Sequence, residues 1–245
     1  MTSFSTLDVG DWAGVLDTLR AQVRGCPTLE AAAQCVARGL HERFRESAAL
    51  VRVYAMVKHA EAPPEVRAFV EALAGASDER ARIADVTPVL ALLGTHGAEE
   101  AWCDRRRSKG HKGIPLLSGA FVDAIPMLAR LLRELGIDLS WLDEAPEIAT
   151  RRLLGGFNGV FYVQDATSAR DALGRRIIPA TDFVREQSVK TVFGTGGFYP
   201  DGTLVVCIVF TRESLPRSSV ERLASLVSML KGETFGVVRE RKIFG

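Results

Sequence analysis

The chain has 245 residues, 47% of them hydrophobic and 25% charged, a composition that builds one large domain, or a domain with an appended element, around a sizeable core. Lys and Arg number 31 against 30 Asp and Glu, and a net charge of +1 argues against a dedicated nucleic-acid surface, which needs excess positive charge to neutralise phosphates. No apolar run approaches the ~20 residues that span a bilayer, and the first residues lack a basic segment followed by a long apolar one; a cytoplasmic protein with no membrane partner is expected.

In chain order, Trp12, Val15, Leu16, Leu19 and Val23 recur at steps of three and four and predict an amphipathic helix over 7–23. Gly25-Cys26-Pro27 ends it. Thr28 suits an N-cap, and Leu29, Ala32, Ala33, Val36, Leu40 and Phe44 mark the inward stripe of a second helix. Residues 50–57 predict a strand, β-branched and apolar with one charge. Pro63-Pro64 open a short helix over 65–74, and residues 86–93, closed by Gly94, predict a second strand despite Pro88. A polar, basic stretch over 101–113 leads to a helix over 119–135 that Pro126 kinks or shortens. Irregular chain over 138–155 follows.

Residues 158–164 predict a third strand, 165–178 a charged loop and 179–186 a short helix. Two further strands, 189–193 and 203–210, flank a glycine-rich connection whose Asp201-Gly202 pair signals a hairpin. The second of them is apolar on both faces, which places it mid-sheet and covered on both sides. A helix over 214–230 carries Val220, Leu223, Val227 and Leu230 inward, and the tail over 235–244 alternates weakly, offering an edge strand.

The runs Phe161-Tyr162-Val163-Gln164-Asp165-Ala166, Ile178-Pro179-Ala180-Thr181-Asp182-Phe183, Ser188-Val189-Lys190-Thr191-Val192-Phe193-Gly194 and Asp201-Gly202-Thr203 through Phe210 together resemble a GAF domain. They are most similar to the divergent GAF-like sensor regions found ahead of bacterial histidine kinases. The resemblance covers about residues 28–231 and is specific for 157–231. It implies an α/β (α+β) fold: a central antiparallel sheet of five to six strands flanked by helices, with an N-terminal helical extension over 1–27 and a C-terminal tail over 232–245. It further implies a sensory or regulatory domain of bacterial signal transduction that binds a small molecule between sheet and pocket helices. With no output segment after residue 231, the signal is expected to leave through a signalling partner or a homodimer. GAF domains bind cyclic nucleotides, haem, bilins or metabolites, or only dimerise, so the fold leaves the chemistry open. Neither a bilin-attachment Cys beside a His nor an NKxxxD-type cyclic-nucleotide signature is present. Haem or another small molecule therefore stays open as the cofactor, and a ligand-free dimerisation module stays open as the alternative function.

Candidate site residues follow from chemistry. In the stretch Arg105-Arg106-Arg107-Ser108-Lys109-Gly110-His111-Lys112, guanidinium groups and amides of a Gly-containing loop suit a phosphate or carboxylate. The alternative is a solvated loop paired with Glu99, Glu100 and Asp104. The expected ligand set is Trp102 as a roof, Arg105, Arg106 and His111 for polarity, and Phe161, Phe183 and Phe193 for apolar area, although each of these aromatics is also an ordinary core residue. The four cysteines, Cys26, Cys35, Cys103 and Cys207, form no CxxC pair, so no zinc or redox motif is expected. Cys103 and His111 are the best haem-ligand candidates, with no clustered partner to complete a metal site. His41, His59 and His96 are expected to be solvated. Gly194-Thr195-Gly196-Gly197 joins two strands and so is a hairpin connection rather than a phosphate loop. Without a G-x-S-x-G elbow or paired carboxylates, no catalytic centre is expected.

Overall fold

A computed structural model describes residues 3–75, 78–144 and 159–245; the irregular chain expected over 145–155 and the first strand residue, Asn158, lie outside them. The helices are α1 (Val9–Val23), α2 (Leu29–Arg43), α3 (Pro64–Ala74), α4 (Asp78–Ala81), α5 (Gly119–Asp123), α6 (Pro126–Glu134), α7 (Thr181–Glu186), α8 (Arg217–Glu221) and α9 (Ser225–Arg239). Strands β1 (Ala48–Lys58), β2 (Pro88–Gly97), β3 (Gly113–Pro115), β4 (Gly159–Val163), β5 (Thr191–Phe198) and β6 (Leu204–Thr211) form one sheet in the order β3-β2-β1-β6-β5-β4, every neighbouring pair antiparallel. As its two apolar faces require, β6 is buried along its whole length between β1 and β5, and the Asp201-Gly202 turn pairs Phe198 with Leu204.

Strand alternation divides the interior into two cores. Val51, Val53 and Ala55 of β1 with Val205, Cys207 and Val209 of β6 pack against α1, α2 and α9. Leu50 and Tyr54 with Leu204, Val206, Ile208 and Phe210 face the opposite side, under α6 and the segment around Ile178. The stripe of α1 is consumed inside the chain: Trp12, Val15, Leu19 and Val23 are buried, and the Trp12 indole donates to Ser225 Oγ at 2.9 Å. Among the described residues no helix is long and apolar enough to cross a membrane.

Several elements depart from expectation. Gly194-Thr195-Gly196-Gly197 is not the connection but part of β5, each of the four paired with β6, so the turn is confined to the residues around Asp201-Gly202. The single helix expected over 119–135 is two, because Pro126 cannot continue α5; Ile125 turns extended and Pro126 restarts the chain as α6. The tail does not add an edge strand. Leu230, Thr234 and Val238 fall on one buried helical face, so α9 runs on to Arg239, and Tyr199 Oη lies 2.6 Å from Thr234 Oγ1. The last residues then return to α2, where the carbonyls of Lys242 and Ile243 accept from Leu29 N and Glu30 N at 3.0 and 2.8 Å. With Thr28 Oγ1 accepting from Ala31 N at 3.1 Å, the open donors of that helix start are satisfied.

The seam between α2 and β2 is the tightest in the fold. A Cβ on Gly94 would stand 2.4 Å from the Ala33 carbonyl carbon, so only glycine lets the helix backbone rest on the strand. The Gln34 amide lies along β2, donating to Thr95 O at 3.0 Å and accepting from Thr95 N at 3.1 Å. This close approach also buries His41, which the sequence places among solvated residues; it is 4% exposed, with Nδ1 3.1 Å from His96 Nδ1. One imidazole must donate and the other accept, so the two rings cannot both be protonated. His41 Nε2 has no partner among the described residues. Burial, then the neighbouring charges of His96, Arg212 and Arg45, push His41 down to about 4.

Because that value lies below the unfolded one, the unfolded chain takes up the proton first. Stability is therefore complete above about pH 6.5 and falls as the pH drops towards 4, by roughly 3 kcal/mol at most from this group. Urea midpoints measured between pH 7.5 and 4.5 should fall steadily, and the His41→Leu variant should show a shallower slope.

Candidate ligand-binding site

On the second face of the sheet lies a cavity of about 440 Å³, in the usual range for small-molecule sites. Its floor is Leu50, Arg52 and Tyr54 of β1, Leu90 of β2, and Ile208 and Phe210 of β6. Leu128 and Leu131 of α6 form one wall with Ile125 and Met127, and Ile178 to Ala180 and Phe183 form another. Trp102 and residues 109–111 close the third side. The aromatic edge is rigid: Trp102 meets Phe183 and Phe183 meets Phe210 in edge-to-face contacts with centroids 5.4 and 5.3 Å apart.

One end of this apolar chamber is polar. Arg52 is 8% exposed, yet its side chain carries a full charge. Nη1 donates to Tyr54 Oη at 3.2 Å, and Nη2 donates to Ser108 Oγ at 3.0 Å and to Lys109 O at 2.7 Å. Tyr54 passes the chain on, donating to His111 O at 3.3 Å. Buried Arg52 Nε has no partner, and no carboxylate of the described residues forms an ion pair with this guanidinium. Gly110 adopts φ 101°, and a Cβ there would stand 3.2 Å from Arg52 Nη1, so glycine lets the loop backbone lie against the guanidinium. Burial first, and then the charge of Arg52, hold the His111 imidazole below its ordinary value. It is therefore neutral near pH 7, one nitrogen donating and the other accepting.

The expected residues divide in two. Trp102, His111 and Phe183 come together on the cavity wall. Arg105, Arg106, Phe161 and Phe193 do not line it. Arg105 is 5% exposed and turned into the scaffold, where it pairs with Glu30 of α2 and with Glu65 of α3, the latter at 2.8 Å, under the ring of Phe244 at 5.5 Å. Arg106 is exposed and reaches Gly245 O at 3.3 Å. Phe161 is wholly buried in the core beneath the cavity, and Phe193 packs edge-on against Phe4 at 5.4 Å on the other face of the sheet. Cys103 directs its thiol at the carbonyls of Gly97 and Glu99. Cys26 and Cys35, nine residues apart, meet with sulfurs 4.0 Å from each other, remote from the cavity wall. Among the described residues no group of three or more His, Cys, Asp or Glu is placed to hold a metal.

Arg52 and Tyr54 are the site residues that loop-centred reasoning misses. Their signal was available: a lone charge in an apolar strand, with a tyrosine two positions on and therefore on the same face.

The basic loop is thus anchored by Arg105, and breaking a buried ion pair by removing one partner costs about 3 kcal/mol or more. The Arg105→Ala protein should melt roughly 6–12 °C lower, whereas Arg106→Ala should melt as the parent does; differential scanning calorimetry of the three proteins reads this directly.

Comparison with known proteins places this geometry. No family model matches the sequence, and no curated protein matches it. Among solved structures, the chain is similar to free methionine-R-sulfoxide reductase from Neisseria meningitidis in complex with its substrate, with a TM-score of 0.50 and 13% identity over 96% of both chains. The chain is also similar to a far-red absorbing dark-state structure with bound biliverdin IXa, with a TM-score of 0.44 and 10% identity over 91% of this chain and 99% of that one. With its six-stranded antiparallel sheet, flanking helices and N-terminal helical region, the chain has a GAF-like fold.

Proposed function

We propose that the chain is a sensory domain that takes a small molecule into the cavity between the sheet and the α6 and α7 walls. The observation that carries this reading is the chamber itself: about 440 Å³ of largely apolar space with Arg52, Tyr54 and His111 linked at one end and Glu99, Glu186 and Gln187 also in its wall. Apolar walls supply binding free energy, and a few placed polar groups fix orientation. The ligand's arrival would be felt by the 108–111 segment, since Arg52 and Tyr54 hold its backbone and also line the cavity. That segment is continuous with the loop tied to α2 and α3 through Arg105. A signal would pass from there to a signalling partner or to the second copy of a homodimer. Such a contact would use surface other than the stripes of α1 and α9, which are spent inside the chain.

Binding is favoured over a sulfoxide-reductase activity like that of the solved neighbour by the composition of the wall. Reducing a sulfoxide requires a two-electron donor such as a thiol, and the described lining residues include no cysteine.

Native mass spectrometry of the protein purified without denaturation should show a bound small molecule. Met127 lines the cavity and is only half-buried, so Met127→Trp fills the space at little cost to the core. The adduct should be absent from that variant. A parent protein free of adduct, and unmoved in melting temperature by a panel of small aromatic and aliphatic compounds, would contradict the reading.

A further inference from the structure

We propose that the ligand is a monocarboxylate with an apolar or aromatic body, its carboxylate received by Arg52 and its body lying along Trp102, Phe183, Phe210 and Leu131. This inference rests on the cavity being a binding site and goes further by assigning the ligand's charge.

A guanidinium has five N–H donors. Within the described residues Arg52 uses three, on Tyr54 Oη, Ser108 Oγ and Lys109 O, which leaves two, one of them on Nε. All three acceptors are neutral, and among the described residues no carboxylate lies within ion-pair distance of this guanidinium. A buried charge without a counter-ion is costly, and structures ordinarily pair it. This chain does pair its other deeply buried arginine: Arg105 holds two carboxylates. One is neutralised by the fold; the other lines the cavity without a carboxylate partner among the described residues.

The surroundings of Arg52 select the anion. Its neighbour His111 is kept neutral and adds a single donor or acceptor, not a second positive charge. Glu99 and Glu186 also line the cavity as exposed residues, and Glu99 accepts from Gln187 at 3.0 Å. Two acidic groups in the wall disfavour a multiply charged phosphate, while one carboxylate is matched by one guanidinium with two open donors. Lys109 is exposed, and its carbonyl, not its ammonium, contacts Arg52. The rest of the lining is aliphatic and aromatic, which suits an apolar body rather than a sugar or a peptide.

The test uses matched pairs of probes on the full chain: 1-naphthoate with 1-naphthamide, and octanoate with octanamide, with inorganic phosphate as a further anion. Isothermal titration should show each carboxylate binding about tenfold to a hundredfold tighter than its amide, the range of one charge-assisted contact, and phosphate not binding. In Arg52→Met, which keeps an unbranched apolar stem without the guanidinium, that preference should disappear while amide binding remains. The carboxylate–amide comparison on the parent protein stands even if this variant folds poorly. Equal binding of acid and amide, both abolished by Met127→Trp, would overturn the anion assignment and leave the cavity as a site for neutral ligands. Failure of every probe to bind would overturn both, and tighter binding of phosphate than of the carboxylates would replace the assigned ligand class.

Discussion

A positive charge at the fifth position of β1, within an otherwise apolar run, governs much of this structure. Arg52 cannot be solvated, because β2 and β6 flank β1 and the walls of the cavity cover its face of the sheet. Its N–H groups must find partners where they stand. The fold answers by bringing the 108–111 segment down onto the strand, with Ser108 and the Lys109 carbonyl accepting from the guanidinium and Tyr54 bridging to His111. Gly110 permits that descent. The loop's path and the closing of the cavity follow from one side chain that is supported and not neutralised, and its charge adds to burial in holding His111 below its ordinary value.

What surrounds this site is built to hold still. The first core binds α1, α2 and α9 to one face of the sheet, so that the second face can carry a chamber without the molecule coming apart. Rigid support is also given at the loop's root, where Arg105 ties the chain to Glu30 and Glu65, and at the α2–β2 seam, where Gly94 lets two backbones touch. Such supports matter energetically because net stability is a small difference between large terms, and one unpaired buried group is a large share of it. Arg52 Nε, buried without a partner among the described residues, is such a group.

Much of the fold was legible in the sequence, because burial patterns are local. The double-faced apolar run of β6 and the Asp201-Gly202 turn mark the centre of the sheet, and the stripe of α1 marks a helix with one apolar face without saying what covers it. The tail was misread because Val237, Val238 and Ile243 look like strand residues until Leu230, Thr234 and Val238 are seen to share one buried helical face. His41 was misread because its polar company on α2 says nothing of the strand lying 3.1 Å away in the partner ring of His96. At the site, Trp102, His111 and Phe183 could be found from aromatic and basic character alone. Arg105 and Arg52 could not be told apart that way. A dense cluster of arginines draws the eye, yet the role of each is decided by whether a carboxylate from a distant helix meets it, and that is information about tertiary contacts only.

The most direct measurement is the Nε–H signal of Arg52 in nitrogen–proton correlation spectra during titration with 1-naphthoate. An Nε–H that gains a carboxylate partner shifts strongly and is protected from exchange, while the signal of Arg105, already paired with Glu30, stays in place. A bound carboxylate that leaves the Arg52 signal where it was, while moving those of residues elsewhere, would contradict the account.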